Sequence, residues 1–152
     1  MPHIRRCVGS LRAQTDASIQ LIVQDGGSTD GTVEWLRGQQ GIDLQTGPDE
    51  GMYDAINKAW ARTDGDVLAW LNADEQYLPG TLARVRRVLE AQPDVDVVFG
   101  DTIIVDSEGS PVAARREIPL RRIYVANGFL YALSCTMFFR RRLLEAGLLV
   151  FD

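Results

Sequence analysis

Short apolar runs alternate with helical segments along most of this chain. The runs are rich in β-branched residues and end at polar turns, so we predict strands at 19–23, 42–45, 67–71, 95–99 and 103–105, with a returning strand near 111–114. Strands that are apolar throughout and separated by helices are typical of a parallel sheet covered on both faces. We therefore predict an α/β fold with a mostly parallel sheet and helices on both faces.

Three stretches between the predicted strands show the apolar spacing of helices. Asp30 can cap a helix that runs to about Gly38, and Pro79 can open a later one. The side chains expected to face the core of these two helices are Val33, Leu36, Leu82, Val85 and Leu89. The helix between them is amphipathic, with Met52, Ile56, Ala59 and Trp60 on one face and Asp54, Asn57 and Lys58 on the other.

The length and composition indicate one globular domain over residues 1–152. Apolar residues make up 45% of the chain and charged residues 24%. The net charge of -5 argues against a broad nucleic-acid-binding surface, because such surfaces are basic. Trp60 and Trp70 lie inside apolar segments, which predicts core positions rather than sugar stacking.

Cysteine and histidine are too scarce for several kinds of site. Cys7 and Cys135 lack the spacing of a zinc or redox motif, so we interpret them as small buried apolar residues. His3 is the one histidine of the sequence. The composition therefore argues against histidine-based hydrolysis and against zinc sites with several histidines.

The sequence gives no sign of a membrane span or a signal peptide. No apolar run approaches the roughly 20 residues that a span needs, and residues 1–14 do not resemble a leader. We expect a cytoplasmic protein, with the inner face of the membrane as a further location. Three groups of arginines are either solvated or in contact with phosphate, an anionic acceptor or a membrane surface: Arg115 and Arg116, Arg121 and Arg122, and Arg140 to Arg142.

Polar residues follow the first predicted strand. Asp25, Gly26 and Ser28 belong to a turn that leads into a helix, where glycines allow close approach of a ligand and backbone N–H groups are free. Asp25 can accept hydrogen bonds from a nucleobase or a ribose. The alternative is an ordinary capped turn between a strand and a helix.

Two further clusters hold acidic residues. Asp54 and Lys58 lie on the polar face of the middle helix, which points either into a site or into water. Asn72, Asp74 and Glu75 follow a buried strand, and oxygen ligands in such a place suit Mg²⁺ or Mn²⁺ bound to a diphosphate. An acidic turn without a ligand is the alternative.

The order of four motifs resembles bacterial family 2 glycosyltransferases. The segments are VQDGGSTDGT, GPDEGMYDAINKAW, GDVLAWLNADEQYLPGTL and DVVFGD, and the resemblance covers residues 19–106 well and 134–152 loosely. It implies a GT-A fold, which is Rossmann-like, and a nucleotide-diphosphate sugar donor. It also implies a divalent metal, Mn²⁺ or Mg²⁺, inversion at the anomeric carbon and a role in cell-surface polysaccharide synthesis.

The resemblance assigns roles to particular residues. Asp25 matches the family's aspartate that contacts the nucleotide base, and Asp74 matches the acidic position that binds metal and diphosphate. Asn72 stands where many relatives have the first aspartate, a variation that is familiar in the family, and Glu75 stands where many have another aspartate. The nucleotide-sugar site that we predict comprises Asp25, Gly26, Ser28, Asp54, Lys58, Asn72 and Asp74, with Asp74 and Glu75 as metal ligands.

The resemblance also departs from the family at both ends. The chain begins in the helix that follows the family's first strand, and it stops before the region where relatives place their catalytic base. We therefore expect an incomplete GT-A domain, assign no base, and consider Asp152 a poor choice for one. The expected partners are a sugar donor, a glycan or lipid-linked acceptor, a second copy and a membrane surface.

Two competing interpretations remain open. One is a noncatalytic nucleotide- or sugar-binding remnant of the same fold. The other is a nucleotidyltransferase-like enzyme, which is disfavoured because the sequence has no Gly-rich loop bearing Lys or Arg for phosphate.

Overall fold

A computed structural model describes residues 1–15, 17–127 and 132–151 as an α/β protein. The helices are α1 (Pro2–Arg12), α2 (Thr32–Arg37), α3 (Met52–Trp60), α4 (Thr81–Ala91), α5 (Arg122–Ala126) and α6 (Arg141–Glu145), and a 3₁₀ turn spans Ser134–Thr136. The strands are β1 (Leu21–Asp25), β2 (Ile42–Thr46), β3 (Val67–Leu68), β4 (Val97–Val98), β5 (Thr102–Val105), β6 (Pro111–Arg115) and β7 (Phe138–Arg140).

The strands pair in three separate groups. β1 and β2 are parallel, β7 lies antiparallel between β3 and β4, and β5 and β6 form an antiparallel hairpin. Because β3 and β4 both oppose β7, they run in the same direction. The expectation of α/β architecture is therefore confirmed. The parallel pairing within the described residues is limited to β1 and β2, since β7 separates β3 from β4.

The third and fourth predicted strands are shorter than the apolar pattern suggested. Strand pairing covers Val67–Leu68 rather than 67–71 and Val97–Val98 rather than 95–99. An apolar run becomes a strand only where a neighbouring strand offers hydrogen bonds. β7 supplies partners for only two residues on each side.

The helices agree with the predicted apolar faces, with two differences. Ile56 and Trp60 of α3 are buried, as are Val85 and Leu89 of α4. Met52 was expected on the inner face but is 50% exposed, because it lies in the first turn of α3. α4 begins at Thr81 rather than at Pro79, since Gly80 has a left-handed backbone (φ 77°) directly before it.

The core forms where β3 and β7 meet α3 and α4. One buried cluster joins both sheet strands to α3, and its members are Ile56, Trp60, Leu68, Met137, Phe139 and Leu149. A second consists of Val85, Leu89 and Phe138. Trp70 is half-buried against the first cluster, with its ring 5.4 Å from that of Trp60. The predicted core position of Trp60 is confirmed, whereas Trp70 packs against this core without being fully buried.

The third group of arginines, Arg140 to Arg142, connects β7 and α6 to other segments of the same chain. Arg140 donates to the carbonyl oxygens of Leu89 (2.6 Å) and Val95 (2.7 Å). Arg141 donates to the carbonyl of Thr63 at 2.8 Å, and Arg142 pairs with Asp96. These contacts give all three side chains a structural role, and the Arg142 side chain also remains 52% exposed. None of the described helices is long and apolar enough to span a membrane.

Candidate nucleotide-sugar site

The turn after β1 is built around the carboxylate of Asp25. Oδ1 accepts hydrogen bonds from the backbone N–H groups of Gly27 (2.9 Å) and Ser28 (2.7 Å), and the residue is only 8% exposed. Gly27 has φ 110°, a left-handed conformation that favours glycine. The carboxylate therefore shapes the loop that leads to α2.

The same contacts hold Asp25 in its charged form. Burial would raise the pKa of the carboxyl group, but the hydrogen bonds from Ser28 and Gly27 outweigh burial and lower the pKa below its ordinary value. Asp25 thus presents a fixed negative charge at the carboxyl end of β1, where open α/β folds bind their ligands.

A second loop reaches the first at Gly26. A Cβ atom added to Gly26 would lie 2.8 Å from Oδ2 of Asp49, so the Asp49 carboxylate rests directly against this glycine. Asp49 also accepts the N–H of Gly51 at 3.1 Å. Asp49 belongs to the motif GPDEGMYDAINKAW but is not among the site residues predicted from the sequence. The signal that was available is the Asp-x-Gly turn.

Asp54 and Lys58 hold this second loop in place. Their side chains form an ion pair of 2.6 Å, and Asp54 accepts the N–H of Glu50 at 2.9 Å. The hydrogen bond from Lys58 is the main cause that lowers the pKa of Asp54, and the reciprocal bond raises the pKa of Lys58. In this structure the two predicted site residues contact the turn that carries Asp49, and neither borders the cavity described below.

The remaining polar residue of α3 has a different role. Asn57 donates to the carbonyl of Phe151 (2.7 Å) and accepts its N–H (3.2 Å). The Phe151 ring also stacks on Tyr53 at 5.1 Å. This part of the polar face therefore anchors the segment after α6. Asp152, which follows, lies outside the described residues.

In the turn after β3, the two acidic residues have different environments. Glu75 accepts the N–H of Asn72 at 2.7 Å, whereas Asp74 is exposed and its carboxylate makes no hydrogen bond within the described part of the chain. The Glu75 carboxylate therefore closes its own turn. Asp74 is the acidic group that remains available to a ligand.

Glu75 also lies close to the two cysteines. Burial, followed by the charge of Glu75, raises the pKa of Cys7 to about 11 and that of Cys135 to about 11. Both thiols are free, Cys7 is buried and Cys135 is half-buried. The interpretation of Cys7 as a small buried residue is confirmed, and raised pKa values make both thiols poor nucleophiles at neutral pH.

The turns after β1 and β3 border one cavity of about 1320 Å³, whose wall includes Asp25, Ser28 and Asn72. Asp74 and Glu75 lie on the adjoining turn, and Gly26 lies behind the loop against Asp49. Asp101, the last residue of the motif DVVFGD, accepts the N–H of Glu117 at 2.9 Å. Within the described ranges, no three His, Cys, Asp or Glu side chains are grouped to hold a metal by themselves.

Comparison with known sequences identifies relatives of this chain. The family model described as "Glycosyl transferase family 2" matches residues 2–148. A PGL/p-HBAD biosynthesis glycosyltransferase of Mycobacterium bovis is 34% identical over 105 residues, covering 64% of this chain and 41% of that protein. An uncharacterized glycosyltransferase of Nostoc is 29% identical over 111 residues, covering 67% and 33%. The matched part thus spans less than half the length of these relatives.

Solved structures show the same fold at low sequence identity. Staphylococcus aureus TarS 1–349 superposes with a TM-score of 0.70 and 21% identity over 99% of this chain and 46% of that one. A mannosyltransferase of Pyrobaculum calidifontis, in complex with GDP-Man and Mn²⁺, gives 0.67 and 21% over 95% and 42%. The GT-A fold expected from the sequence is therefore confirmed, and the chain belongs to glycosyl transferase family 2.

Proposed function

We propose that this chain binds a nucleotide-diphosphate sugar at the turns after β1 and β3, as the donor-binding part of a transferase. The observation that carries the proposal is that Asp25, at the end of β1, and Asn72, in the turn after β3, border one cavity, with the exposed Asp74 on the adjoining turn. TarS has also been solved with UDP-GlcNAc, at a TM-score of 0.71 over 98% of this chain and 44% of that one, with 19% identity.

Asp25 is the group that we assign to the nucleoside. One of its oxygens is already used by the N–H groups of Gly27 and Ser28. The Ser28 side chain also hydrogen-bonds this carboxylate. A carboxylate has about four acceptor positions, so Asp25 can also accept from a base or a ribose, which both offer donors. A buried acceptor of fixed charge is suited to this recognition, because a ligand without the matching donor would leave it unpaired.

The turn after β3 suits a divalent cation whose remaining ligands come from the phosphate groups of the donor. Mg²⁺ and Mn²⁺ at phosphate sites commonly take one or two carboxylates together with phosphate oxygens. Asp74 supplies such a carboxylate, whereas Glu75 already accepts the N–H of Asn72. We therefore assign the first ligand to Asp74 and a secondary role to Glu75. When bound, the cation would neutralise charge on the departing nucleoside diphosphate.

The complete reaction that we propose moves the sugar to a hydroxyl group of a glycan or lipid-linked acceptor, with inversion at the anomeric carbon. A carboxylate would remove the proton of the acceptor hydroxyl, and we assign this role to no described residue. We expect the reaction on the cytoplasmic side of the membrane, where nucleotide sugars are used.

A titration with and without Mn²⁺ tests this function directly. The chain is titrated with UDP-GlcNAc and with GDP-Man by calorimetry, and release of UDP or GDP is measured in parallel. Binding that Mn²⁺ strengthens, with either donor, supports the proposal. Binding without turnover under all conditions favours a noncatalytic donor-binding part, and absence of binding to both donors would contradict the proposal.

A further inference from the structure

The arginines that stand out in the sequence have different surroundings in the folded chain. Arg140 to Arg142 contact other segments of the protein. Arg115 pairs with Glu117 at 2.8 Å, and the Glu117 side chain is only 4% exposed. The remaining three are exposed, and their side chains make no hydrogen bond or ion pair within the described residues: Arg116, Arg121 and Arg122. One short segment therefore carries three positive charges without an acidic partner.

Exposed apolar side chains lie among these arginines. Ile118 is 48% exposed, Ile123 65% and Val125 52%, and no residue of α5 is buried. Tyr124 is the half-buried position of this helix. Because successive helical residues are about 100° apart, Arg122 lies on the side opposite Tyr124, with Ile123 and Val125 flanking it. The outer side of α5 therefore presents apolar and positively charged side chains together.

The charge of this segment is opposite to that of the protein as a whole. Residues 116–125 contain three arginines and one glutamate, whereas the chain has a net charge of -5. The glutamate is the one already paired with Arg115. The nearby acidic residues Asp106 and Glu108 lie at the other end of the β5–β6 hairpin, where Asp106 accepts the N–H groups of Glu108 and Ser110 at 2.9 Å. The segment is therefore complementary to a negatively charged partner.

A membrane surface fits this combination of side chains better than a protein surface. A protein that covered the segment would need acidic groups for three guanidinium groups, because buried charges without partners are costly. Anionic lipid headgroups supply negative charge over a whole surface. Arginine stems can lie along the apolar boundary while their guanidinium groups stay among the headgroups. Isoleucine and valine side chains enter the same boundary in interfacial helices.

We propose that residues 116–125 form a docking surface for a membrane that contains anionic lipid. Contact would place α5 along the plane of the interface, with Ile123 and Val125 between the headgroups and the acyl chains. A patch with few charges and a small apolar area binds reversibly, and its affinity depends on the lipid composition. The inference does not depend on the proposed donor-binding function, because vesicles without sugar donor or acceptor test it.

The probes are vesicles of phosphatidylcholine with or without phosphatidylglycerol. The full 152-residue chain is mixed with each, and bound protein is separated by flotation through a density gradient. We expect binding to the vesicles with phosphatidylglycerol and little binding to phosphatidylcholine alone. Rising salt should weaken this binding, because it screens exposed charges. Amide hydrogen exchange of the bound chain should slow in residues 116–126 and remain unchanged in β1 and β2.

The contribution of charge is measured with two pairs of arginines. Arg121→Gln with Arg122→Gln should weaken vesicle binding by roughly 25-fold, since each basic residue near an anionic surface contributes about fivefold. Arg84→Gln with Arg87→Gln, on the exposed face of α4, changes the net charge by the same amount. This matched control should bind as the unmodified chain does. All four side chains are exposed, so the melting temperatures should not change.

The apolar contribution is measured without a change in charge. Ile123→Ser should weaken vesicle binding by about fivefold, because it removes apolar surface that the interface would bury. Leu148→Ser is the matched control, since Leu148 is 73% exposed and lies outside the segment. We expect it to leave binding unchanged.

Absence of binding to the vesicles with phosphatidylglycerol would overturn the proposal. Equal weakening by the two arginine pairs would overturn it too, because net charge rather than this segment would then determine binding. Full competition by inorganic phosphate at constant ionic strength is a third contrary result, since the arginines would then bind a small anion. None of these outcomes alters the donor titration, so failure of this proposal and failure of the proposed function are distinguishable.

Discussion

After β1, the carboxylate of Asp25 is buried and accepts two backbone N–H groups of its own loop. After β3, the carboxylate of Asp74 is exposed and makes no hydrogen bond within the described part of the chain. In the sequence, Asp25 and Asp74 look alike, because each is an acidic residue at or just beyond the end of an apolar run. Their surroundings differ because the first turn contains glycines that bend back over the carboxylate, whereas in the second Glu75 closes the turn.

The difference between these two turns separates two kinds of binding residue. Asp25 has a fixed position and a fixed charge, which suits recognition of a nucleoside with defined donors. Asp74 has an unconstrained carboxylate, which suits a cation whose other ligands arrive with the substrate. Substitutions at the two positions should therefore change different properties of the protein.

The largest effect is expected for Asp74→Ala. If Asp74 is the main carboxylate ligand, Mn²⁺ should no longer strengthen donor binding, a loss of roughly a hundredfold in affinity at saturating Mn²⁺. The melting temperature should not change, because the side chain is exposed. Calorimetric titration of UDP-GlcNAc with and without Mn²⁺ measures the effect. Asp94→Ala removes another exposed carboxylate and is the control; an unchanged response to Mn²⁺ in Asp74→Ala would refute the assignment.

Asp25→Asn should reduce both nucleoside binding and stability. Hydrogen bonds to a charged acceptor contribute about 1 kcal/mol more each than neutral ones, so we expect the variant to be about 1–2 kcal/mol less stable at pH 7. Uridine and UDP should bind about tenfold more weakly, in similar proportion. Urea denaturation and titration with both ligands measure these changes. A variant that loses only its response to Mn²⁺ would show that the two turns have been assigned in reverse.

The stability conferred by Asp25 should depend on pH. Its pKa in the folded protein lies below the ordinary unfolded value of about 3.9, so the unfolded state binds more protons between these values. The contribution is complete well above pH 4 and is lost as the pH falls through the folded pKa. The stability difference between the unmodified chain and Asp25→Asn should therefore shrink below about pH 4 in urea denaturation curves. A constant difference down to pH 2 would contradict this origin.

The smallest effect is expected for Gly26→Ala. The added methyl group would displace the Asp49 carboxylate, which is the end of a movable side chain, at a cost of about 1 kcal/mol or less. The double variant Gly26→Ala with Asp49→Ala should recover most of this loss. Thermal denaturation of the unmodified chain, the two single variants and the double variant measures the coupling between the two residues. Gly100→Ala has no neighbouring atom within 4 Å and serves as the control. Strictly additive effects would mean that the two residues do not interact.

Much of the candidate site was predictable because it follows local chemistry. The apolar runs that end at Asp25 and before Asn72 indicated strand ends, and strand ends are where open α/β folds bind ligands. The amphipathic spacing of α3 predicted the burial of Ile56 and Trp60. What local chemistry did not indicate was the contact between Gly26 and Asp49, because it joins two loops that are distant in sequence.

The sequence by itself determined the α/β architecture, the helical faces and the order of motifs that identifies the family, since these depend on periodicity and on short-range turn chemistry. Only the tertiary structure decided which strands pair, because the pattern of an apolar run does not specify which other strand it pairs with. It inserted β7 between β3 and β4 and placed β1 and β3 at one cavity. It also decided which carboxylates accept hydrogen bonds from the backbone of the chain and which stay available to a ligand. That outcome depends on where the backbone N–H groups lie in the folded protein.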